Sequence, residues 1–355
     1  MEITAALSRS PDSPFTLESV DLDEPRPDEV LVRVLATGVC HTDLTFKSRV
    51  RGPAVFGHEG AGVAEAVGAR VTGIKPGDPV LLSYRSCGEC GQCRTGHPPY
   101  CSRGALLNMS GGRADGTATL FQNGSRLFGS VFGQSSFAQY ALAAADNVVV
   151  VDPSVDLTVA APLGCGFQTG AGVVLNVLTP EPNSRLVVFG AGGVGLAAVM
   201  AAKAVGVEDV VVVDPVASRR AKAVELGASQ AVDPTNEDVA TAARGATHAL
   251  DTTGLPEVVA AALGVLESRG TLVVVGLGAR YAPIDIRDLM LGGKTIRGCA
   301  EGDARPSEFI PELLALHAQG RFPMDAIVSR YDAVDIEKAV ADSRSGSAIK
   351  PVLVW

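Results

Sequence analysis

The 355-residue sequence is short of positive charge. It holds 30 lysines and arginines against 39 aspartates and glutamates, which gives a formal net charge of −9 at pH 7. Nucleic acids and anionic membrane surfaces are bound mainly through basic residues. We therefore expect neither a nucleic acid nor a membrane to be a partner of this chain.

The sequence also lacks the marks of a secreted or membrane-spanning protein. Its first residues, Met1 to Thr4, show no basic segment followed by an apolar one. The longest apolar run, 186–202, is interrupted by glycines and ends at Lys203, which favours a buried strand–turn–helix unit over a membrane helix. Seven cysteines without a secretion signal are more typical of metal ligands or free thiols than of disulfides. We expect a cytoplasmic protein.

What the sequence does have favours two folded domains. A chain of 355 residues exceeds the size at which a single core usually stops growing. Its 46% hydrophobic residues and 40 glycines suit a packed protein with many tight turns, and they exclude disorder. No internal repeat and no low-complexity segment is visible.

The hydrophobic pattern changes along the chain. Residues 1 to about 85 predict short strands, for example at 29–36, 61–67 and 79–82, and therefore a small barrel-like β domain. Residues 107–126 have little periodicity and predict a surface loop. From Arg185 onward strands alternate with helices, which predicts a parallel, doubly wound sheet. Its later strands are expected at 209–214, 230–232, 248–251, 271–276 and 295–298.

A glycine-rich turn follows the first strand of that second half. Gly190, Gly192 and Gly195 form a G-x-G-x-x-G pattern that opens a helix. The first glycine permits the tight turn, the second admits a pyrophosphate and the third lets helix and strand pack closely. By itself the pattern is equally compatible with an ordinary glycine-rich turn.

An acidic residue strengthens the dinucleotide interpretation. Asp214 ends the next strand, nineteen residues after Gly195. A carboxylate at this place accepts hydrogen bonds from an adenosine ribose and repels a 2′-phosphate. Arg219 and Arg220 are placed to hold such a phosphate, but they fit a solvated helix face better. The sequence therefore predicts NAD as cofactor.

Four cysteines lie within fifteen residues. Cys87, Cys90, Cys93 and Cys101 follow a C-x2-C-x2-C-x7-C pattern, with turn-forming glycines between them. Four thiolates complete a tetrahedral Zn²⁺ site and leave no open position, which indicates a structural zinc. The alternatives are redox-active thiols or a zinc ribbon that binds nucleic acid, and the acidic charge opposes the latter.

Three further residues are candidates for an open metal site. Cys40, His58 and Cys165 each have glycine neighbours, which suits loops that converge on a point. The alternative is that each cysteine is a small core residue. Asp43 is placed to orient the His58 ring, and Glu59 to lie behind the ion, unless both are ordinary surface acids. Cys299 has no partner in the sequence, and we expect it in the core.

These residues occur in motifs of a known family. Gly57-His58-Glu59-x2-Gly62-x5-Gly68-x2-Val71 and the four-cysteine loop resemble the zinc-dependent medium-chain alcohol dehydrogenases, and the likeness covers nearly the whole chain. The segments 132–141, 162–172 and 301–323 resemble the narrower group of aryl (benzyl) alcohol dehydrogenases.

The resemblance implies an architecture and an assembly. It implies an α/β protein with a GroES-like β-barrel catalytic domain at 1–166 and 300–355, and a Rossmann NAD-binding domain at 167–299. It further implies two zinc ions per subunit, one catalytic and one structural. Family members form homodimers or homotetramers, and the strand at 295–298 is a candidate edge for such contacts.

The resemblance also implies roles by position. Cys40, His58 and Cys165 would hold the catalytic zinc, the ligand set known from alcohol dehydrogenase. The residues that would act around the reacting centre are Thr42, Asp43 and Glu59. Those that would contact the dinucleotide are His41, Thr169, Gly190, Gly192, Gly193, Val194, Gly195, Asp214, Arg219 and Lys350. A pocket for a flat apolar substrate would be lined by Tyr84, Leu106, Val131, Phe132, Leu277 and Ala300.

The implied reaction interconverts primary aromatic or allylic alcohols and aldehydes, with hydride transfer from a zinc-bound alkoxide to NAD. Thr42 would begin a proton relay. Many family members carry a histidine at its outer end, where this chain has Thr45, so the proton must leave through water or His41. Two alternatives are a glutathione-dependent formaldehyde dehydrogenase and a zinc-stabilised NAD sensor without turnover.

Overall fold

The computed structural model describes residues 1–355. Its strands, in chain order, are β1 Glu2–Ser8, β2 Phe15–Leu22, β3 Glu29–Gly38, β4 Ala54–Val55, β5 Gly60–Val67, β6 Pro79–Leu82, β7 Leu120–Gln122, β8 Ser125–Arg126, β9 Tyr140–Ala144, β10 Val148–Val150, β11 Arg185–Phe189, β12 Asp209–Val213, β13 Gln230–Val232, β14 Ala246–Asp251, β15 Leu266–Val274, β16 Thr295–Gly298, β17 Val328–Asp332 and β18 Lys350–Val354.

The helices, in chain order, are α1 His41–Lys47, α2 Gly91–Arg94, α3 Gly104–Met109, α4 Leu157–Ala160, α5 Gly166–Gly172, α6 Gly193–Ala204, α7 Ala217–Glu225, α8 Val239–Ala242, α9 Pro256–Gly264, α10 Ile286–Gly292, α11 Pro306–Ala318 and α12 Ile336–Ser345. A π-helical segment, Val173–Leu178, continues α5. None of the helices is by itself both long enough and apolar enough to cross a bilayer; one bent pair, Leu157–Gly164 with Gly166–Leu178, meets the length and composition only in combination.

The chain forms two compact units. The first consists of Met1–Cys165, Arg305–Glu312 and Ile327–Trp355, and the second of Gly166–Ala304 and Leu313–Ala326. The division into a catalytic and an NAD-binding domain that the sequence suggests is a statement about function, and it stays a prediction.

Strand β3 is the centre of the first unit. It lies in a sheet ordered β10-β6-β5-β3-β18-β17 and also pairs with β9, while a second sheet is ordered β4-β1-β2-β7-β8. Alternation along β3 feeds two cores, because Val30, Val32 and Val34 pack on one side and Leu31 on the other. The sequence prediction of short strands in residues 1 to about 85 is confirmed.

The prediction of a surface loop at 107–126 is only partly right: residues 110–119 contain no helix or strand, but much of the segment is buried. This segment contains part of α3 and the β7–β8 pair, and its Arg113 side chain is only 5% exposed. Arg113 binds both carboxylate oxygens of Glu29 at 2.7 and 2.9 Å, and Asp23 at 2.7 Å. The segment shows no hydrophobic period because an arginine, rather than a row of apolar residues, fixes it to the unit.

The second unit is built on a six-stranded sheet in which every pair is parallel. The order is β13-β12-β11-β14-β15-β16, which is strand order 3-2-1-4-5-6 within this unit. Strands β11 and β12 contain buried apolar runs, Leu-Val-Val-Phe and four valines, as expected for a parallel sheet covered on both faces. The strand order reverses between β11 and β14, and ligands of such sheets bind beyond the carboxyl ends of the strands at that point.

One edge of this sheet is open. All four residues of β16 are exposed. Beside β16 in the chain, α10 carries three exposed apolar side chains, Ile286, Met290 and Leu291, the last of them 80% exposed. Apolar side chains exposed together near an unpaired strand edge are typical of a protein–protein contact.

Candidate metal centres and cofactor loop

Four potential ligands from distant parts of the sequence meet in the first unit. Cys40 caps the N-terminus of α1 directly after β3, His58 lies between β4 and β5, and Cys165 follows a 3₁₀ turn, Ala161–Gly164. One ligand atom from each of these residues and one from Glu59 all lie within 4.8 Å of one another. A single ion is therefore within reach of all four.

The imidazole of His58 is oriented for a metal. Its Nδ1 lies 2.8 Å from Oδ1 of Asp43, and that oxygen also accepts the N–H of Gly57 at 3.0 Å. The N–H of Cys40 donates to the other oxygen at 3.2 Å. Nε2 of His58 is buried and makes no hydrogen bond. Buried polar atoms are normally satisfied, so an Nε2 facing two thiols fits a metal ligand whose tautomer Asp43 fixes.

The electrostatics of the cluster favour a thiolate at Cys40. A hydrogen bond from the Cys165 thiol, against the effect of burial, lowers the pKa of Cys40 well below its usual range, and the charges of Lys350 and His58 add to this. Burial lowers the pKa of His58, but the Asp43 carboxylate and the Cys40 sulfur raise it further than burial lowers it. Without a cation, an ionised Cys40 and a protonated His58 would stabilise each other's charge.

Glu59, the fourth member of this cluster, is fully buried. Nζ of Lys350 lies 2.6 Å from its carboxylate and 3.5 Å from the carbonyl oxygen of Val39. Burial raises the pKa of Glu59, and the ammonium of Lys350 opposes that rise. The family resemblance implies that Lys350 contacts the dinucleotide, at its pyrophosphate. The structure shows Lys350 in a buried ion pair with Glu59, and the dinucleotide contact stays a prediction.

The four cysteines of the 87–101 loop form a second cluster. Their sulfurs lie within 4.8 Å of one another, and none of them is in a disulfide. The separation is 3.5 Å for Cys90–Cys93 and 4.0 Å for both Cys87–Cys93 and Cys90–Cys101. Zn–S bonds of about 2.3 Å in a tetrahedron place sulfurs about 3.8 Å apart. The loop therefore fits a closed zinc site.

Backbone amides around this loop stabilise negative sulfur. The N–H groups of Cys87 and Arg103 point at Cys101 Sγ at 3.3 and 3.4 Å, and that of Cys90 at Cys87 Sγ at 3.3 Å. Backbone N–H groups, first that of Cys93, lower the pKa of the Cys90 thiol to about 5. Burial and the neighbouring sulfurs raise the pKa of Cys93 to about 11. Four ionised sulfurs at this spacing would repel one another, so the loop fits a bound cation.

The glycine-rich turn of the second unit lies at the reversal of strand order. Gly190 follows β11 with φ +95°, a conformation that favours glycine. A Cβ on Gly195 would lie 1.9 Å from the carbonyl oxygen of Gly190, so helix and turn are packed too closely for any side chain. A Cβ on Gly192 would meet nothing within 4 Å. The glycines thus divide into two that shape the turn and one that leaves it open for a ligand.

The acid at the end of β12 is tied to this turn. The carboxylate of Asp214 accepts the N–H of Ala191 at 2.7 Å and that of Val216 at 2.8 Å. Arg220 donates to the carbonyl oxygen of Asp214 at 2.7 Å and pairs with Asp233 at 2.9 Å. Arg220 is therefore already paired with Asp233. The charged group in contact with the glycine-rich turn is the carboxylate of Asp214.

The remaining predicted residues are scattered over the two units. His41 is exposed and Thr42 half-buried on α1, while Thr169 is buried on α5 and Arg219 and Val194 are half-buried. Of the predicted pocket residues, Tyr84, Val131 and Phe132 are buried, whereas Leu106, Leu277 and Ala300 are exposed. The pocket set includes residues of both units, and it stays a prediction.

Phe132, predicted for the substrate pocket, lies beside the first cluster together with three residues that were not predicted, Phe46, Gln134 and Ser83. The Phe132 ring lies over the His58 ring with centroids 4.6 Å apart, and the Phe46 ring lies 6.4 Å from Phe132. Gln134 and Ser83 bind the backbone of the ligand-carrying segments. Phe46 follows Thr42 by four residues on α1, so helical spacing places the two side chains on the same face and could have predicted Phe46 near the site. Nothing in the sequence marks the two polar residues.

Comparison with known proteins identifies the family. Residues 26–153 match the family described as "Alcohol dehydrogenase GroES-like domain", and residues 193–319 match "Zinc-binding dehydrogenase". The geraniol dehydrogenase of Castellaniella defragrans is 46% identical over 99% of this chain and 97% of its own length. The chain belongs to the zinc-binding alcohol dehydrogenases.

Solved structures of the family share the whole fold. The benzyl alcohol dehydrogenase of Acinetobacter calcoaceticus superposes with a TM-score of 0.95 at 42% identity, over 100% of this chain and 99% of that one. An alcohol dehydrogenase zinc-binding domain protein of Burkholderia ambifaria gives 0.97 at 47% identity, with the same coverage. The predicted family and the predicted medium-chain fold, with a GroES-like domain and a Rossmann-type parallel sheet, are confirmed.

Proposed function

We propose that this dehydrogenase is an NAD-dependent enzyme that interconverts primary aromatic or allylic alcohols and their aldehydes. The observation that carries the proposal is the convergence of Cys40, His58 and Cys165 around an imidazole nitrogen with no hydrogen-bond partner. Relatives named for benzyl alcohol and for geraniol, an aromatic and an allylic alcohol, support the substrate class.

We assign a separate role in the proposed reaction to each residue around the cluster. A zinc ion held by Cys40, His58 and Cys165 would supply a Lewis acid that favours the ionised form of a substrate hydroxyl. Asp43 holds the His58 ring so that Nε2 is the ligand atom. Thr42, two residues after Cys40, is proposed to orient the reacting oxygen. Glu59 is proposed as a transient ligand, restrained by Lys350.

The cofactor is proposed to be NAD, which supplies the hydride acceptor. Gly192 leaves room for a pyrophosphate, and the amides that open α6 can bind its charge. Asp214 supports NAD over NADP because its carboxylate would repel a 2′-phosphate. The engagement of Arg220 with Asp233 supports the same choice, since that guanidinium has a partner within the fold.

The substrate proton is proposed to leave without a protein base at position 45. Thr45 is half-buried on α1, and its hydroxyl does not ionise near neutral pH. His41, exposed at the first position of the same helix, and water are the two routes. This makes the proton path of the chain more open than that of family members with a histidine there.

Two zinc ions per subunit and a homodimer or homotetramer complete the proposal. The second zinc would occupy the four-cysteine loop. A second copy of the chain is proposed to cover the exposed edge strand β16 and the apolar residues of α10. The cytoplasmic location expected from the sequence stays a prediction.

The decisive test is whether the purified protein oxidises benzyl alcohol and geraniol. The reaction is monitored through the absorbance of the reduced cofactor, with NAD and NADP tested in parallel. We expect turnover with NAD, and its loss in Cys165→Ser. Cys299→Ser is the matched control, because Cys299 is a buried cysteine outside both clusters, and it should keep the activity. Full activity of Cys165→Ser would overturn the proposal.

The same assay separates the alternatives. Oxidation of formaldehyde that depends on added glutathione, together with no turnover of benzyl alcohol, would identify the formaldehyde dehydrogenase. NAD binding by calorimetry without turnover of any alcohol would identify a sensor.

A further inference from the structure

Two ligand-carrying segments of the first unit are joined by buried polar side chains. His58 lies in a stretch between β4 and β5, where ladder bonds do not fix its backbone, and Cys165 lies more than a hundred residues later. Because a metal site tolerates little error in ligand position, something must hold these segments at a fixed separation. Gln134 and Ser83 are placed between them.

The amide of Gln134 is fully used by this bridge. Its Nε2 donates to the carbonyl oxygen of His58 at 2.9 Å and to that of Ser83 at 3.3 Å, and its Oε1 accepts the N–H of Gly60 at 3.0 Å. The partners fix the orientation of the amide, since a carbonyl can only accept and an N–H can only donate. Gln134 is 3% exposed, so water does not replace these bonds.

Ser83 carries the bridge to the other ligand. It follows β6, and its hydroxyl donates to the carbonyl oxygen of Gly164 at 2.6 Å, directly before Cys165. Gly164 itself is pressed against β6, because a Cβ there would lie 2.2 Å from the carbonyl oxygen of Leu82. Three hydrogen bonds thus lead from His58 through Gln134 and Ser83 to the residue before Cys165.

The loop that presents Gln134 is strained. Ser130, Phe132 and Ser135 all have positive φ, between 52° and 59°, although none is glycine. Such conformations are unfavourable and persist where surrounding contacts over-determine them, most often at functional sites.

We infer that Gln134 and Ser83 are positioning residues that set the distance between His58 and Cys165; this inference rests on the proposed zinc site. They touch no reacting atom, and they act through the backbone of the two segments. Loss of either should loosen the first metal site and leave the four-cysteine site unchanged. Partners behind metal ligands typically change metal affinity or activity about 10- to 100-fold when they are removed.

The chain offers a matched control for Gln134. Asn108 is also buried, and its amide accepts the N–H of Arg85 at 2.8 Å while it donates to the carbonyl oxygens of Arg85 and Gly104 at 2.9 and 2.8 Å. It makes the same three kinds of bond but joins no segment that carries Cys40, His58 or Cys165. Gln134→Met and Asn108→Leu therefore remove equivalent amides.

The test measures metal release from the zinc-loaded protein into excess chelator. Wild type should release one zinc faster than the other. Gln134→Met and Ser83→Ala should lose that zinc about 10- to 100-fold faster still. Asn108 joins the segments that flank the four-cysteine loop, and Asn108→Leu should release the zinc of the first site at the wild-type rate. With Co²⁺ as the probe, the visible absorption bands of the first site should shift in Gln134→Met and Ser83→Ala only. Ser83→Ala, which removes one hydroxyl, covers the case in which Gln134→Met does not fold.

Equal release rates and equal Co²⁺ spectra in all four proteins would overturn the inference. A change in Asn108→Leu as large as that in Gln134→Met would also overturn it, because it would show a general effect of lost core polarity. If wild type binds metal only at the four-cysteine loop, it is the proposed function that fails.

Discussion

At the scale of single residues, Asp43 does more than its place beside a helix start suggests. One of its oxygens serves both the His58 ring and the Gly57 N–H, and the other serves the Cys40 N–H. A single buried carboxylate therefore fixes the side chain of one proposed ligand and the backbone of another. Only a group that accepts at both ends can do this.

Asp43→Asn should consequently weaken the metal site. The amide nitrogen cannot accept, so either Cys40 N–H or the His58–Gly57 pair loses its partner. We expect metal affinity and kcat/KM to fall together by about 10- to 100-fold. Zinc content after dialysis against a chelator, with kcat/KM for benzyl alcohol, measures both. Asp152→Asn, at an exposed turn, is the control, and equal zinc contents in the two variants would contradict the prediction.

Individual site residues can be predicted from a sequence when the metal ligands lie close together in the chain or have a distinctive spacing. The cysteines of the 87–101 loop could be grouped because a turn-rich loop of that length can wrap only one ion. Cys40, His58 and Cys165 could be nominated, but only the fold brings them within 4.8 Å. Gln134 and Ser83 could not be predicted because they bind backbone atoms, and backbone atoms are the same in every residue type.

At the scale of elements, the turn between β11 and α6 makes two distinguishable predictions. Gly192→Ala meets nothing within 4 Å and its φ is −77°, so the protein should melt within a degree or two of wild type. The added methyl group enters the open space of the turn, so we expect the Kd for NAD to rise about tenfold. Calorimetric titration and thermal melting measure the two effects.

Gly195→Ala should behave differently, because its Cβ would lie 1.9 Å from a backbone oxygen. Overpacking of this kind costs about 1–3 kcal/mol or more, so both stability and NAD affinity should fall. If the two alanine variants were alike in stability, the division of roles among the glycines would be incorrect.

Another element-level prediction concerns the segment that the sequence described as a loop. Arg113→Met leaves the carboxylate of Glu29 buried without its bidentate partner. Breaking a buried pair in this way costs about 3–5 kcal/mol in the free energy of unfolding. Urea unfolding of Arg113→Met should show this loss, and Glu29→Gln added to it should restore part of it. A loss below that of a typical surface substitution would count against the burial of this ion pair.

The elements themselves were predictable where the hydrophobic pattern is strong. The apolar runs of β11 and β12 follow directly from the hydrophobic pattern, and the turn between β11 and α6 follows from the spacing of its glycines. The segment 107–126 was not predictable, since its fold depends on Arg113 reaching Glu29, 84 positions earlier in the chain. Contacts at that separation leave no local pattern.

At the scale of the whole molecule, the open edge of the parallel sheet leads to a prediction about assembly. We expect wild type to sediment as a dimer or larger. Leu291→Glu should shift it toward the monomer, because a charge would be buried in the apolar patch of α10. Val334→Glu is the control, since Val334 is 70% exposed but lies in the first unit. A wild-type monomer at all concentrations, or equal shifts in both variants, would rule out this edge.

The place of β18 sets an order of events during synthesis. This strand lies between β3 and β17, and it carries the lysine that neutralises Glu59. When residues 1–165 have left the ribosome, their central sheet still lacks both β17 and β18, and the Glu59 carboxylate still lacks the ammonium group of Lys350. The parallel sheet of 185–298 can form in the meantime, because all six of its strands are adjacent in the sequence. We therefore expect the first unit to complete its fold only after translation has passed Lys350.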